Sequence, residues 1–560
     1  MAYGAAAFLA AVLLFMAYSP VMHTQFLFDD TNQQFALPSA TEPLSAWIGP
    51  VRPVLMFSYW TNVQISRADT FSYHLFNLVI HGLAAMFVFL IIRRLMEWAG
   101  GDSRLRNVLA GFGALLFLVH PLQTESVAYI AGRSESLSGM FAVGAIAAFL
   151  YRRSAAISWT GVAAVLLMFG AAVLSKEQAV VVPVVLLLTD FWWNPGFSLK
   201  GIFANWRLYG LMAVGAGAGV ALFWSLILGK GTGGSAGFGI KEFTWYQYLF
   251  TQFRSLWVYI ANFVLPANLD LDWDFPISRT IVDHGAVIGL IGLAGLAAAA
   301  WHFRNRFRLA GYGYFLFLVL LLPTSSILPI KDPIADRRMY LPMIGLILIA
   351  VDFLGRLKVN RTTLTTVCGA IVLAATGATF ARATVWSDPV SIWEDTVRKS
   401  PGKSRPHFQL AQAYSEQGRA DLAVAEFEKA AAVEPPDFTL LLDWGLAYDG
   451  LHQPAKAIAK LREAVAAGTT PRDKAHATTQ MGKVYADQQQ WKEAAAAFNA
   501  AQALDPTFAP TFAYQGLMHL ITNDPAGAIA QCQHALELDK NFQPARDCMA
   551  TAAKMMGGRR

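Results

Sequence analysis

Residues 76–92 of the chain read FNLVIHGLAAMFVFLII and contain no charged side chain. An apolar stretch of this length approaches what one helix needs to cross the hydrocarbon core of a membrane. Similar stretches recur along the chain and stop near Trp386. Counted together, they predict about eleven membrane-crossing helices, at roughly 3–22, 76–92, 107–121, 136–151, 158–174, 178–193, 208–228, 284–302, 310–330, 340–355 and 363–381.

A twelfth apolar stretch, at 246–266, carries Gln252 and Arg254. We interpret it as an interfacial or re-entrant helix, because a charge inside a lipid-facing span is costly. The first stretch lacks a basic leader and a small-residue cleavage site, which predicts an uncleaved helix and not a signal peptide.

The composition of the chain agrees with a membrane protein. Of the 560 residues, 55% are hydrophobic and only 15% are charged, and the mean hydropathy is +0.39. So few charges exclude a disordered chain, and three cysteines without a CxxC exclude a thiolate metal site. The net charge is only +6, and no basic run resembles a nucleic-acid surface, so no nucleic-acid partner is expected.

The arrangement of lysine and arginine predicts which loops face the cytoplasm. Every second loop is basic, and the other loops hold nearly all the acidic residues of the apolar region. We place the basic loops inside, with an inside N-terminus, so that the region after Trp386 lies outside. The basic loops contain Arg93, Arg94, Arg104, Arg106, Arg152, Arg153, Lys200, Arg207, Arg304, Arg306, Arg308, Arg356, Lys358 and Arg361.

The region after Trp386 repeats itself every 34 residues or so, with small residues, aromatics and prolines in register. This is the pattern of tetratricopeptide repeats, in which pairs of helices stack into a solenoid that presents a groove to proteins or peptides. We predict repeats near 404–437, 438–471, 475–508 and 509–542 and a capping helix at 543–556. The positions in register include Leu410, Ala411, Tyr414, Ala423, Phe427, Gly445, Tyr448, Ala457, Leu461, Gly482, Tyr485, Ala494, Phe498, Gly516, Ala528 and Ala535.

The sequence therefore predicts an all-α protein with two domains, a polytopic membrane domain at 1–385 and a repeat domain at 386–560. Cys532 and Cys548 fall on adjacent helices of the last repeats, where a disulfide is possible in an oxidising compartment. The alternative is two buried free thiols. Cys368, in the last span, should stay unpaired.

Charged residues of the outward loops lie at the membrane boundary, where they often line a functional cavity. Each group also has a structural interpretation: a helix cap for Asp29 and Asp30, an ion-pair network for the 125–135 group, an interfacial pair at 176–177, and lipid headgroup binding for the two arginines. The candidates are Asp29, Asp30, His120, Glu125, Arg133, Glu135, Lys176, Glu177, Arg337 and Arg338.

Two further patterns favour a structural interpretation. The run Asp270, Asp272 and Asp274 has the look of a cation site, but a solvated loop is the commoner outcome for so short a motif. His81 lies within a predicted span and is expected to be a packing residue.

Several ordered motifs carry a resemblance over nearly the whole chain: FDD at 28–30, RPVLMFSYW at 52–60, YHLFNLVIH at 73–81, HPLQTESVAYIAGRSESLSG at 120–139, LSKE at 174–177, LDWDFP at 271–276 and DPIADRRMYLP at 332–342. Together, ahead of the repeats, they resemble the transmembrane and tetratricopeptide-repeat-containing O-mannosyltransferases of the GT-C superfamily. The chain has about four repeats, where animal relatives often have more.

The resemblance implies an inverting transfer of a sugar, mannose in this family, from a polyprenyl-phosphate carrier to Ser/Thr hydroxyls of proteins outside the cytoplasm. It implies that Asp29, or else Asp30, is the base, because the motif is similar to the Phe-Asp-Glu of protein O-mannosyltransferases. The carrier phosphate would contact Arg133, Lys176, Arg337 or Arg338, and the remaining candidates, Glu125, Glu135, Glu177 and His120, would orient these cations or bind the sugar.

No cofactor is expected, with a divalent metal left open, and the partners are the lipid-linked donor, acceptor proteins on the repeats and membrane lipids. The expected location is the inner or plasma membrane, with the active site and the repeats on the extracytoplasmic, periplasmic side. Two alternatives stay open: a glycan polymerase or ligase, whose donor chemistry would look the same, and a non-enzymatic membrane scaffold.

Overall fold

A computed structural model describes residues 2–226 and 236–557 of the chain. Within these ranges all regular structure is helical, and the only β-pairing is an isolated bridge between Ala236 and Ile330. The predicted all-α class is therefore confirmed. The chain forms two compact units, Met1–Lys399 and Ser400–Arg560.

The first unit contains seventeen α-helices in the described ranges. They are α1 Ala2–Tyr18, α2 Leu44–Trp47, α3 Pro53–Ser66, α4 Thr70–Trp98, α5 Ser103–Val119, α6 Thr124–Ala128, α7 Arg133–Leu150, α8 Trp159–Ser175, α9 Val182–Trp193, α10 Lys200–Ala204, α11 Trp206–Leu226, α12 Trp245–Val264, α13 Ala286–His302, α14 Arg308–Leu321, α15 Met343–Leu354, α16 Arg361–Val385 and α17 Pro389–Lys399.

Four stretches of the described chain are long and apolar enough to cross a membrane: Gly4–Val21, Thr70–Trp98, Asp283–His302 and Arg361–Val385. A fifth would be the pair Ser103–Val119 and Pro121–Ala128, which is bent by 49°. Other predicted spans correspond to apolar helices of 10–17 residues, among them α8, α14 and α15. The count of eleven crossings is not confirmed and stays a prediction, and the predicted span at 208–228 ends outside the described residues.

The boundary between the two units lies after Lys399, whereas the sequence division put it after residue 385. Helix α17 therefore belongs to the first unit. The physical reason is aromatic and ionic packing: Trp393 of α17 makes an edge contact with Phe28, with 5.3 Å between ring centroids, and Asp395 pairs with Arg382 of α16.

The second unit consists of four helix pairs and a last helix, which matches the predicted repeat register. The helices are α18 Ser404–Glu416, α19 Ala420–Val433, α20 Phe438–Gly450, α21 Pro454–Ala467, α22 Pro471–Asp487, α23 Trp491–Leu504, α24 Ala509–Ile521, α25 Pro525–Leu538 and α26 Gln543–Gly557.

Small residues at the repeat positions let the paired helices approach. A Cβ on Gly445 would lie 2.8 Å from Cγ of Leu461, and one on Gly482 would lie 2.6 Å from Cε1 of Phe498, both too close for real carbon atoms. The insertion before the third repeat lengthens α22 at its start, where Thr470 accepts a hydrogen bond from the backbone N–H of Asp473 at 3.1 Å and caps the helix.

Cys532 and Cys548 form a disulfide between α25 and α26, with their Cα atoms 6.3 Å apart. The predicted pair is confirmed. Gly516 of α24 leaves room for it, because a Cβ there would lie 2.2 Å from the sulfur of Cys532. Cys368 is a buried free thiol, as expected.

Candidate active site

The segment 120–135 connects the charged groups that the sequence singled out. It runs from the 3-10 helix Pro121–Gln123 through α6 to the first turn of α7, and almost all of it is buried. Along the segment, Glu125 binds Arg337, the backbone N–H of Ala131 binds Asp30, and Glu135 binds Lys176. These three contacts bring most of the predicted residues to one region of the first unit.

The adjacent aspartates of the 3-10 helix Phe28–Asn32 have opposite environments. Asp30 is 1% exposed. Its Oδ1 accepts a hydrogen bond from the backbone N–H of Ala131 at 2.8 Å, and its Oδ2 accepts one from the backbone N–H of Leu27 at 3.1 Å. Burial raises the pKa of Asp30 to about 8. The Asp29 side chain is exposed, and its backbone N–H donates to Oη of Tyr129 at 2.8 Å. Asp30 thus fixes the loop, and Asp29 is the exposed carboxylate of the two.

Two cations of the candidate set are paired with glutamates of the 120–135 segment. Nζ of Lys176 lies 2.5 Å from Oε1 of Glu135 and 3.3 Å from Oγ of Ser134, and burial lowers the pKa of this lysine. The carboxylate of Glu125 accepts two hydrogen bonds from Arg337, one from Nη1 at 2.6 Å and one from the backbone N–H at 2.8 Å. The Arg337 side chain remains 35% exposed, and one of its five N–H donors is used by Glu125. Arg337 therefore keeps four donors for a ligand.

Arg338 is more deeply placed, at 7% exposure. Its Nη1 donates to Oη of Tyr248 at 3.2 Å and to the carbonyl of Pro333 at 2.9 Å, and its Nη2 donates to the carbonyl of Asp332 at 2.5 Å. These acceptors are a hydroxyl and two carbonyls, none of which carries a full negative charge. Arg338 also interacts with the Tyr259 hydroxyl, and with no carboxylate among these partners it retains its positive charge for an anion.

A small crevice lies between Glu135 and Arg338. Glu135, Gln178, Arg338 and Tyr340 line it together with apolar neighbours, and its volume is about 30 Å³. This is room for one or two water molecules and not for a hexose.

One cation of this region, Arg52, was not predicted from the sequence. Arg52 makes two hydrogen bonds to Glu177, from Nε at 3.0 Å and from Nη2 at 2.6 Å. It precedes Pro53 in the RPVLMFSYW motif and adopts a left-handed φ of 49°, which is unusual for a residue with a side chain. The signal was present in that motif, but the partner lies 125 positions away along the chain.

Arg133 lies apart from the ligand-accessible groups. It is wholly buried, and its guanidinium donates to side-chain oxygens of Asn77 at 2.7 Å and Asn62 at 2.6 Å, to the carbonyl of Ser58 at 3.2 Å and to that of Tyr73 at 3.0 Å. The structure does not bring this residue to the phosphate candidates. It is the centre of a polar cage that holds α3, α4 and α7 together.

Both ring nitrogens of His120 and of His81 make hydrogen bonds within the protein. His120 accepts the backbone N–H of Leu122 at 3.2 Å with Nδ1 and binds the carbonyl of Phe263 at 3.0 Å with Nε2. It tethers the 120–135 segment to α12 and has no ring nitrogen left for a sugar. His81 lies between Oη of Tyr340 at 2.9 Å and the carbonyl of Leu118 at 3.0 Å, which agrees with a packing role.

The Asp270, Asp272 and Asp274 run does not gather into a cation cage. Asp270 and Asp272 are buried and Asp274 is exposed. Among the described residues no group of three or more histidine, cysteine or acidic side chains could hold a metal ion. The backbone N–H of Asp270 instead donates to Oδ2 of Asp336 at 2.9 Å, so this loop is fastened to the 336–339 segment.

Helix α17 also reaches this region. Nζ of Lys399 donates to the carbonyl of Leu269 at 2.6 Å and to Asp395 at 2.7 Å, while Trp393 packs on Phe28, next to Asp29. The sequence does not indicate this contact, because α17 lies beyond the composition break and resembles the start of the repeats.

The chemical capacity of the region follows from these contacts. An exposed carboxylate, Asp29, stands on a loop fixed to residue 131, and the same segment carries the glutamate that orients Arg337. A carboxylate in water-accessible surroundings can accept a proton, and arginines with unused donors can bind a phosphate.

Comparison with known proteins agrees with the motifs. Residues 404–437 match the family model described as a tetratricopeptide repeat. The chain is 24% identical over 398 residues to the protein O-mannosyl-transferase F38B6.6 of Caenorhabditis elegans, covering 69% of this chain and 54% of that protein. It is 22% identical over 546 residues to the human protein O-mannosyl-transferase TMTC3, covering 88% and 57%.

Among solved structures, a similar one is the crystal structure of YrrB, described as a tetratricopeptide protein with an unusual peptide-binding site. It is 19% identical, covers 31% of this chain and 86% of that one, and has a TM-score of 0.24. The chain spans about half the length of the curated relatives it matches. The chain is therefore similar in sequence to protein O-mannosyl-transferases, and its residues 404–437 match a tetratricopeptide repeat.

Proposed function

We propose that the protein is a membrane-embedded, inverting glycosyltransferase that moves mannose from a polyprenyl-phosphate carrier to Ser/Thr hydroxyls of extracytoplasmic proteins. The observation that carries the proposal is the attachment of an exposed carboxylate, Asp29, and an arginine with unused donors, Arg337, to one rigid segment. The similarity to protein O-mannosyl-transferases supports the choice of mannose and of a protein acceptor.

In the proposed reaction the acceptor hydroxyl oxygen attacks the anomeric carbon from the side opposite the phosphate. Asp29 accepts the hydroxyl proton as the new C–O bond forms. The bond between the anomeric carbon and the phosphate oxygen breaks, and the electron pair leaves with the polyprenyl phosphate. One displacement of this kind inverts the configuration at the anomeric carbon.

Arg337 and Arg338 would bind the carrier phosphate. Negative charge grows on the leaving phosphate oxygen, so cations that are already fixed in place stabilise the transition state more than the ground state. Glu125 fixes Arg337 through two hydrogen bonds. Tyr248 and two carbonyls fix Arg338, so little reorganisation is needed when the donor binds.

The remaining candidates take supporting roles. Glu135 lines the crevice and forms an ion pair with Lys176, and Arg52 with Glu177 forms the exposed rim. Asp30 and Arg133 are positioning residues, which hold the Asp29 loop and the α3, α4 and α7 cluster without touching substrate.

The repeats would present the acceptor, since tetratricopeptide solenoids offer a groove for peptides. The Cys532–Cys548 disulfide supports an extracytoplasmic location for them, because disulfides persist in oxidising compartments. The asymmetry of basic loops supports the same orientation in an inner or plasma membrane.

The test uses the purified full chain in lipid nanodiscs with radiolabelled polyprenyl-phosphate-mannose and either a Ser/Thr-rich envelope protein or an envelope glycan. Label on the protein that alkaline β-elimination releases would support the proposal. Label that enters only the glycan would favour the polymerase or ligase alternative. No transfer to either acceptor, with intact donor binding, would leave the scaffold alternative standing and refute the enzyme assignment.

A further inference from the structure

Helices α12 and α13, together with Phe275 and residues 284–285, line an open groove in the first unit. Its volume is about 510 Å³, within the range of sites that hold organic ligands. Most of its wall is apolar, including Trp257, Val258, Phe275 and Ile288, and Arg254 is its one guanidinium. The proposed active site does not include any residue of this groove.

Two glycines of α13 give the groove its shape. A Cβ on Gly289 would lie 2.3 Å from the carbonyl oxygen of Phe253, and one on Gly292 would lie 2.6 Å from Cζ2 of Trp257. The indole N–H of Trp257 donates to the carbonyl of Gly289 at 3.0 Å. The two helices are therefore in close contact at Gly289 and Gly292, and the groove lies beside this contact.

The α13 side of the groove is apolar and exposed, as a surface that contacts lipid would be. The stretch Asp283–His302, which contains α13, is one of the four that could cross a membrane, and only 17% of its apolar window is buried inside the protein. Ile288 is 73% exposed and Ile291 is 65% exposed. Apolar side chains this exposed on a spanning helix are expected to contact hydrocarbon chains.

Arg254 brings a positive charge to the groove without a carboxylate to balance it. Its Nη1 donates to the carbonyl of Pro276 at 2.9 Å and to Oγ of Ser278 at 3.1 Å, and the guanidinium lies 4.5 Å from the ring centroid of Phe275. No ion pair of Arg254 occurs within residues 2–226 and 236–557. Three of its five N–H donors remain, and a half-buried cation with spare donors next to an apolar cleft suits an anionic headgroup.

We propose that this groove binds an anionic phospholipid of the surrounding membrane, with the phosphate on Arg254 and an acyl chain between α12 and α13. The proposal requires membrane insertion but not the transfer reaction. Basic residues at a membrane surface attract anionic lipids, and here the apolar wall adds burial of the chain.

The donor lipid is a poorer occupant, because the groove lies across α12 from the proposed phosphate site. Gln252 donates to the carbonyl of Pro333 at 3.0 Å, and that carbonyl also accepts from Arg338. Residues two apart on a helix point about 200° apart around its axis, so Gln252 and Arg254 lie on opposite faces. A lipid on Arg254 would therefore contact one face of α12, and the opposite face contacts the loop that carries Arg338.

The experiment measures lipid retention by native mass spectrometry after the purified full chain is equilibrated with vesicles of phosphatidylcholine and phosphatidylglycerol. We expect retention of phosphatidylglycerol over phosphatidylcholine. Arg254→Gln should weaken it about tenfold or more. Val258→Trp should do the same by filling the groove while the arginine is kept. The matched control is Arg279→Gln, a nearby exposed arginine outside the groove, which should retain the lipid as the parent protein does.

Three results would overturn the proposal: equal retention by Arg254→Gln and the parent chain, equal retention of the two phospholipids, or displacement of phosphatidylglycerol by polyprenyl phosphate in the same competition. The last result would assign the groove to the carrier. If Arg254→Gln does not fold, Val258→Trp decides, since it alters neither charge nor the hydrogen bonds of Arg254. None of these readouts depends on transfer activity.

Discussion

Replacing Asp29 by Asn should abolish sugar transfer while leaving the protein folded and able to bind the donor. The substitution keeps the size of the side chain and removes its basicity. Loss of a general base costs about 10²–10⁴ in rate, which corresponds to roughly 3–5 kcal/mol of transition-state stabilisation. Because the Asp29 side chain is exposed, we expect a change in unfolding free energy within about 0.5 kcal/mol.

Asp30→Asn is the matched control, because it is the same chemical change at the neighbouring position. Both carboxylate oxygens of Asp30 accept buried backbone N–H groups, and an amide can accept only one of them through oxygen. At about pH 5 the loss should be roughly 1–3 kcal/mol of stability, seen as a lower melting temperature. The donor KM of the folded fraction should not change.

The pH dependence of this control has a definite sign. Burial raises the pKa of Asp30 from 3.8 to about 8. Between these values the unfolded chain loses the proton while the folded protein keeps it, so folding stability falls progressively as pH rises. The Asn variant lacks this penalty. The gap in melting temperature between Asp30→Asn and the parent chain should therefore shrink from pH 5 to pH 8.

The assay is single-turnover transfer of label from polyprenyl-phosphate-mannose to a Ser/Thr acceptor in nanodiscs, with melting temperature and donor binding measured on the same samples. Near-parental turnover in Asp29→Asn together with an inactive but folded Asp30→Asn would reverse the assignment within the pair. Near-parental turnover in both variants would mean that the base lies elsewhere and that the FDD loop is structural.

Four further outcomes are expected. Arg338→Gln should raise the donor KM and lower kcat, by about tenfold or more together, whereas Arg133→Lys should lower the melting temperature through its lost cage contacts and leave the donor KM of the folded protein unchanged. Gly516→Ala should hinder the disulfide, so non-reducing mass mapping should find free thiols; full pairing in that variant would contradict the close approach of its Cβ to sulfur. A cysteine placed at the exposed position Gln488 should react with a membrane-impermeant thiol reagent in intact cells, and protection until lysis would contradict the extracytoplasmic placement of the repeats.

Features that depend on local periodicity could be predicted from the sequence. The repeat register follows from small and aromatic residues recurring every 34 positions or so, and the structure has the corresponding helix pairs. The all-α class follows from long apolar and amphipathic stretches, because each helix satisfies its own backbone hydrogen bonds and needs only a suitable face. The cysteine pair followed in the same way, since both cysteines lie on consecutive helices of one repeat array.

Features that depend on partners far along the chain could not be predicted. Asp29 and Asp30 are adjacent and chemically alike, yet one turn of 3-10 helix exposes the first and buries the second against Ala131, 101 positions away. Arg133 looked like a phosphate ligand until packing surrounded it with acceptors from α3 and α4, and Arg52 was overlooked because Glu177 comes from a distant loop. Composition and motifs singled out charged residues of the loops, most of which the structure brings to one region. The direction of each side chain was decided by tertiary packing, because a buried polar group must find its hydrogen-bond partners wherever the fold supplies them.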